Sequence, residues 1–116
     1  MKEYDTFHNI DRYRIMWILV FFDLPVETKE EKKAASDFRK NLLKDGFSMM
    51  QYSIYMRNCM SRENMQVHID RVKNFLPNYG KVNILHITEK QFGMMEMFFG
   101  RTKTTTPKPN DQLMIF

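Results

Sequence analysis

The sequence predicts an α+β domain in which one β-sheet carries two helices on the same face. Three observations predict it. Ile15-Met16-Trp17-Ile18-Leu19-Val20-Phe21-Phe22 is an unbroken apolar run, rich in β-branched and aromatic types, and reads as a strand buried on both faces. Two later stretches repeat apolar residues at helical spacing, and each is opened by Thr or Ser. Strand-like segments lie between and after them. The resulting order is β-α-β-α-β-β plus a terminal strand, and laying both helices on one side of the sheet is the economical packing.

The first strand covers about Arg14 to Asp23 and stops on a carboxylate, followed by Leu24-Pro25. An acid at the C-terminal lip of a buried strand is held rigidly yet reaches solvent. Sites that bind a cation or activate water favour that arrangement. Thr28 with Glu31 forms a capping box that opens the first helix. Ala34, Ala35, Phe38, Leu42 and Leu43 make its buried face, with Lys29, Lys32, Lys33, Arg39, Lys40 and Lys44 off that face, and Gly46 stops it.

From Phe47 to Arg57 the chain alternates, with Met50, Tyr52, Ile54 and Met56 facing one way and Gln51, Ser53 and Tyr55 the other. It reads as one long strand or as the same strand bent in two. Ser61 opens a second helix whose stripe is Met65, Ile69, Val72 and Leu76, and Pro77 ends it. Asn78-Tyr79-Gly80 makes a turn into a third strand, Lys81 to Thr88. Glu89-Lys90-Gln91 is a short connection to a strand from about Met94 to Phe99, ending at Gly100.

The domain plan is an arm over 1–13, the domain over 14–100, a linker over 101–111 and a docking strand over 112–116. The linker holds four Thr, two Pro and three basic residues. The final Gln112-Leu113-Met114-Ile115-Phe116 is too apolar to be left in water, so it reads as a strand docked on its own sheet or on a partner's edge. With both helices on one face, the apolar positions of the other face call for a second copy stacked on it. A homodimer is therefore expected.

Composition bounds the setting. At 116 residues there is room for one core. A formal net charge of +4 permits a polyanionic partner. The single cysteine, Cys59, excludes an internal disulfide and any cysteine-built zinc site, and it suits a reducing cytoplasm. Met1 to Tyr13 carries no signal-peptide apolar core, and the run from Ile15 to Phe22 is too short to span a bilayer, so no membrane is expected. The eleven Met read mainly as core filler.

At this point the residues become recognisable. Trp17-Ile18-Leu19-Val20-Phe21-Phe22-Asp23-Leu24-Pro25 resembles the opening of the second CRISPR-associated (Cas) protein family. The segment Gly46 to Met56, with Gln51-Tyr52-Ser53-Ile54-Tyr55, resembles its second hallmark. Thr88-Glu89-Lys90-Gln91-Phe92, with the strand ending Phe99-Gly100, resembles its third. The likeness runs in order from about Tyr13 to Gly100, and the terminal Leu113-Met114-Ile115-Phe116 also fits.

The resemblance implies a ferredoxin-like fold, a homodimer, and a terminal strand that adds to the neighbouring protomer's sheet. It implies a subunit of spacer acquisition that bridges two dimers of the CRISPR integrase around a short protospacer duplex. It also implies Mg²⁺-dependent endonuclease activity on RNA or DNA, with Asp23 at the position of the metal-ligating, catalytic acid. The family often carries Tyr before that acid, where this chain has Phe22.

If two copies of Asp23 meet across a twofold axis, their charges repel. Either one proton is shared or a cation neutralises both. Mg²⁺ commonly takes one or two carboxylates and keeps its waters, and it can polarise a phosphodiester. Asp at the end of a strand is also an ordinary turn residue. Ser53 and Tyr55 are candidate supporting residues for Asp23. Arg57, Arg62, Arg71, Lys73, Arg101 and Lys103 are candidates for a duplex backbone, although each alone also fits a solvated charged face. His8, His68 and His86 show no metal-site spacing. The alternative is a non-catalytic ferredoxin-like nucleic-acid-binding or regulatory module. An RNA-recognition motif is disfavoured, because Lys81-Val82-Asn83-Ile84-Leu85-His86 holds no aromatic residue.

Overall fold

The computed structural model describes residues 15–108. Strand β1 is Met16–Asp23, helix α1 Lys29–Lys44, β2 Ser48–Gln51, β3 Ile54–Cys59, α2 Arg62–Asn74, β4 Lys81–Thr88, α3 Glu89–Gly93, β5 Met97–Phe99 and β6 Thr102–Thr104. The main sheet has the order β2-β3-β1-β4, antiparallel throughout. This is the α+β sheet that the pattern predicted, in the ferredoxin-like arrangement that the resemblance implied. The expected arm over 1–13 and the docking strand over 112–116 lie outside the described residues.

β1 is unbroken in its hydrophobicity because it is paired on both edges and packed on both faces. Its even residues, Met16, Ile18, Val20 and Phe22, enter the helix-side core with Phe38 and Leu42 of α1 and Met65, Ile69 and Val72 of α2. Thr28 caps α1 through a full capping box, and Ser61 accepts from the backbone N–H of Asn64 to cap α2. Leu43, placed in the buried face by its spacing, is exposed. α2 ends at Asn74, so Phe75 packs on the core and Leu76 does not.

The odd residues Ile15, Trp17 and Leu19 form a second core with Met56 and Phe92 on the face opposite α1 and α2. Here the structure corrects the expectation of a bare face. Residues 89–91 are not a plain connection but the start of α3, capped by Thr88 and Gln91. Phe92 lies flat on Trp17 with ring centroids 3.8 Å apart, and the Trp17 indole N–H donates to the Glu89 carboxylate. A five-residue helix is too short to show a periodicity, so its cover was invisible in the pattern.

Of the two readings of the stretch from Phe47, the structure takes the bent one: the strand breaks at Tyr52-Ser53 into β2 and β3, with a register shift between Met49 and Gln51. The expected strand over Met94 to Phe99 shrinks to β5, which pairs with β6 and not with the main sheet. β6 occupies part of the expected linker. The turn between them uses Gly100 at φ +63°, a left-handed conformation that glycine adopts without a Cβ penalty. Among the described residues no helix is long and apolar enough to cross a membrane.

Candidate functional site

Asp23 is the last residue of β1 and is exposed. Counting along the pleat from Trp17 and Leu19 puts it on the face opposite α1 and α2, directly across the ladder from Lys81. Its backbone is held from several sides. The N–H of Phe22 donates to the Ser53 carbonyl at 3.0 Å, and Leu24 packs on the helix-side core. Gly80 closes the remaining side. Its φ is +82°, and a Cβ there would lie 2.5 Å from the Asp23 carbonyl oxygen and 2.9 Å from Leu24 Cα. The turn before β4 therefore sits against the end of β1 only because residue 80 has no side chain. The acid is exposed at its side chain and held at its backbone.

The structure brings Ser53 to this end of β1, through its carbonyl. It does not bring Tyr55. That ring lies in the helix-side core, 5.5 Å from the Phe22 ring, on the opposite face from Asp23. Burial pushes the Tyr55 phenol up, and the nearby Arg39 charge partly opposes the shift. The sequence alternation had suggested a polar face for Tyr55, but β3 is buried on both sides and its alternation does not separate inside from outside. Phe22, where relatives of the expected family often carry Tyr, points into the same core and packs edge-on against Phe38 at 5.2 Å. A hydroxyl there would face away from Asp23.

The candidate phosphate-binding cations are dispersed. Arg57 is half-buried and committed to the protein: its Nε donates to the Asp45 carbonyl at 2.7 Å and Nη1 to the Asn58 carbonyl at 2.8 Å. Arg62 is exposed at the first turn of α2, and Arg71 and Lys73 are exposed at its last turn, about 15 Å further along the axis. Arg101 and Lys103 are exposed on the β5–β6 hairpin, where Lys103 lies 3.9 Å from Glu96.

One buried polar cluster had no signal in the sequence. The Asp45 carboxylate, at the C-cap of α1, accepts from His68 Nδ1 at 2.8 Å and from Arg71 Nη1 at 3.0 Å. An ionised carboxylate can only accept, so the proton of that bond sits on Nδ1. The partners are 23 and 26 residues away in sequence, beyond any local pattern. Cys59 lies close by, and burial pushes its thiol up although Arg57 partly opposes this. That makes it a packing residue and not a nucleophile.

Among the described residues no three His, Cys, Asp or Glu side chains converge on a metal-sized site. Asp23 supplies one carboxylate, which suits only a cation content with few protein ligands and many waters, as Mg²⁺ is.

A family model described as CRISPR associated protein Cas2 matches residues 16–95, from the start of β1 to just past α3. The chain belongs to the Cas2 family. A Cas2 relative from Flavobacterium psychrophilum, named CRISPR-associated endoribonuclease Cas2, is 56% identical over 112 residues, covering 97% of each chain. Two more with that name are similar over most of their length. The one from Parvibaculum lavamentivorans is 45% identical over 87% of this chain and 100% of its own. The one from Paracidovorax avenae is 44% identical over 90% of this chain and 96% of its own. The Cas2 match contains Asp23, Ser53 and Gly80 and excludes the β5–β6 hairpin.

Proposed function

We propose that the chain is a dimeric subunit of CRISPR adaptation that binds duplex DNA through its phosphates, bridges integrase dimers, and uses Asp23 for Mg²⁺-dependent cleavage of a phosphodiester in RNA or DNA. The observation that carries the reading is the placement of Asp23. It is exposed at the end of a central strand, with Gly80 against its own carbonyl and the Ser53 carbonyl accepting from the N–H of the preceding Phe22. Further support comes from Cas2 relatives named endoribonucleases that span nearly the whole chain.

In this reading Asp23 of each protomer would hold the cation, the two copies meeting on the face opposite α1 and α2. Bound Mg²⁺ supplies charge stabilisation to a phosphoryl oxygen and lowers the pKa of water. The chain's own part is positional. Ser53 and Gly80 fix the strand end, and Lys81, across the ladder, offers a cation to a phosphate beside the carboxylate. The exposed Arg62, Arg71, Lys73, Arg101 and Lys103 add salt-dependent, sequence-independent affinity.

The deciding experiment is Asp23→Asn in stringently purified protein, assayed on labelled RNA and duplex DNA with Mg²⁺ and with EDTA. Cleavage should be lost while the fold and duplex binding persist. Cleavage that survives the substitution removes Asp23 from the chemistry. If neither protein cleaves but both bind integrase and DNA, the subunit is a scaffold and the catalytic half of the reading falls.

A further inference from the structure

The helix side of the domain holds an open groove of about 530 Å³ between α1 and the tip of the β2–β3 hairpin. Its polar lining is Lys32, Ser36, Arg39 and Lys40 from α1 and Tyr52 and Tyr55 from the hairpin. Among the described residues no lining residue carries a carboxylate, so Lys32, Arg39 and Lys40 share one concavity with no described anion beside them. Arg39 is the centre. Its guanidinium carbon lies 4.2 Å from the Tyr52 ring centroid and 5.2 Å from that of Phe22. Its Nε is shielded from solvent and has no hydrogen-bond acceptor among the described residues. A shielded donor without an acceptor is unfavourable, and an arriving anionic oxygen would relieve the cation it belongs to.

Tyr52 gives the groove its second property. It sits in the two-residue turn and is 70% exposed, although its ring is braced by Arg39. A large aromatic ring kept in water, with a guanidinium on it and lysines alongside, is the pairing of stacking platform and phosphate contact used for unpaired nucleotides. Bases inside a duplex are stacked on each other and cannot use such a ring.

We infer that this groove binds a single-stranded nucleic-acid segment, with one base stacked on Tyr52 and the adjacent phosphates held by Arg39, Lys40 and Lys32. The site lies across the sheet from Asp23, so it needs neither a metal nor cleavage. It would hold an unpaired portion of the strand without reading its sequence.

The test is fluorescence anisotropy on the full chain in EDTA, using a labelled oligouridylate, an abasic strand of equal phosphate count and a duplex. Tyr52→Ala should weaken oligouridylate binding about tenfold and leave the duplex and the abasic strand unchanged. Tyr52→Phe should bind as the parent does, since the ring does the stacking. Lys40→Gln should lower the steepness of the salt dependence by about 0.7. Tyr52 is exposed, so its loss leaves the core intact, and circular dichroism checks this. The inference fails if Tyr52→Ala binds oligouridylate as the parent does, or if duplex affinity falls in parallel. It also fails if polyglutamate displaces the strand with the same dependence on Tyr52, which would make the groove a dock for an acidic protein. None of these outcomes bears on Asp23.

Discussion

Gly80 is the residue on which the placement of Asp23 depends most closely. Its left-handed φ and its approach to the Asp23 carbonyl both exclude a Cβ. Gly80→Ala should cost about 1–3 kcal/mol, the range for a strained backbone at such a position, read as a lower urea midpoint. It should also reduce any Asp23-dependent cleavage more than duplex binding. A Gly80→Ala protein with the parent's midpoint and activity would mean that the turn gives way and that Asp23 is not held from this side. The sequence marked residue 80 only as part of a turn. The carbonyl it sits against is more than fifty positions earlier in the chain, and no local pattern reports that distance. Asp23 itself was legible, because an unbroken apolar run ending on a carboxylate marks the lip of a buried strand. Its face was not, because a run apolar on both sides does not say which side the helices cover. Tyr55 was not, because a tyrosine suits both a core and a surface.

At the scale of elements, α1 ends on an acid, against the sense of the helix dipole. The structure offsets this by aiming His68 and Arg71 of α2 at the Asp45 carboxylate and Arg57 of β3 at its carbonyl, so one residue joins three elements. Asp45→Ala leaves the buried His68 N–H without its acceptor and should cost about 2–4 kcal/mol. Asp45→Asn, which keeps an acceptor, should cost less. The check is a pair of urea melts at unchanged slope; equal midpoints for all three proteins would reduce the cluster to a surface feature. The capped helices α1 and α2 could be read from Thr28, Glu31 and Ser61, since caps and apolar stripes are local. α3, β6 and the pairing of β5 with β6 could not. Five-residue and three-residue elements are stabilised by what they touch, as Phe92 is by Trp17, and not by their own pattern.

For the whole molecule, the open question of partnership rests on what stays apolar and exposed. α3 buries Trp17, but Leu85 of the edge strand β4 and Phe98 and Phe99 of the hairpin remain in water, Phe99 at 85% exposure. Sedimentation of the full chain should give a dimer. Removing Gln112 to Phe116 should weaken that dimer and its capture of integrase. A full chain that sediments as a monomer, or a truncated one that associates undiminished, would end the shared-site reading of Asp23. The order of strands and helices, the two capped helices and the acid at the end of β1 follow from residues close together in the chain. Hydrophobic period, capping and turn chemistry act over a few positions, and the covalent order preserves them. Folding back of the chain alone sets Gly80 against Asp23, commits Arg57 and His68 to the end of α1, and lays Arg39 on Tyr52. Each of those contacts joins residues from different elements, and their distance through space has no counterpart in their distance along the chain.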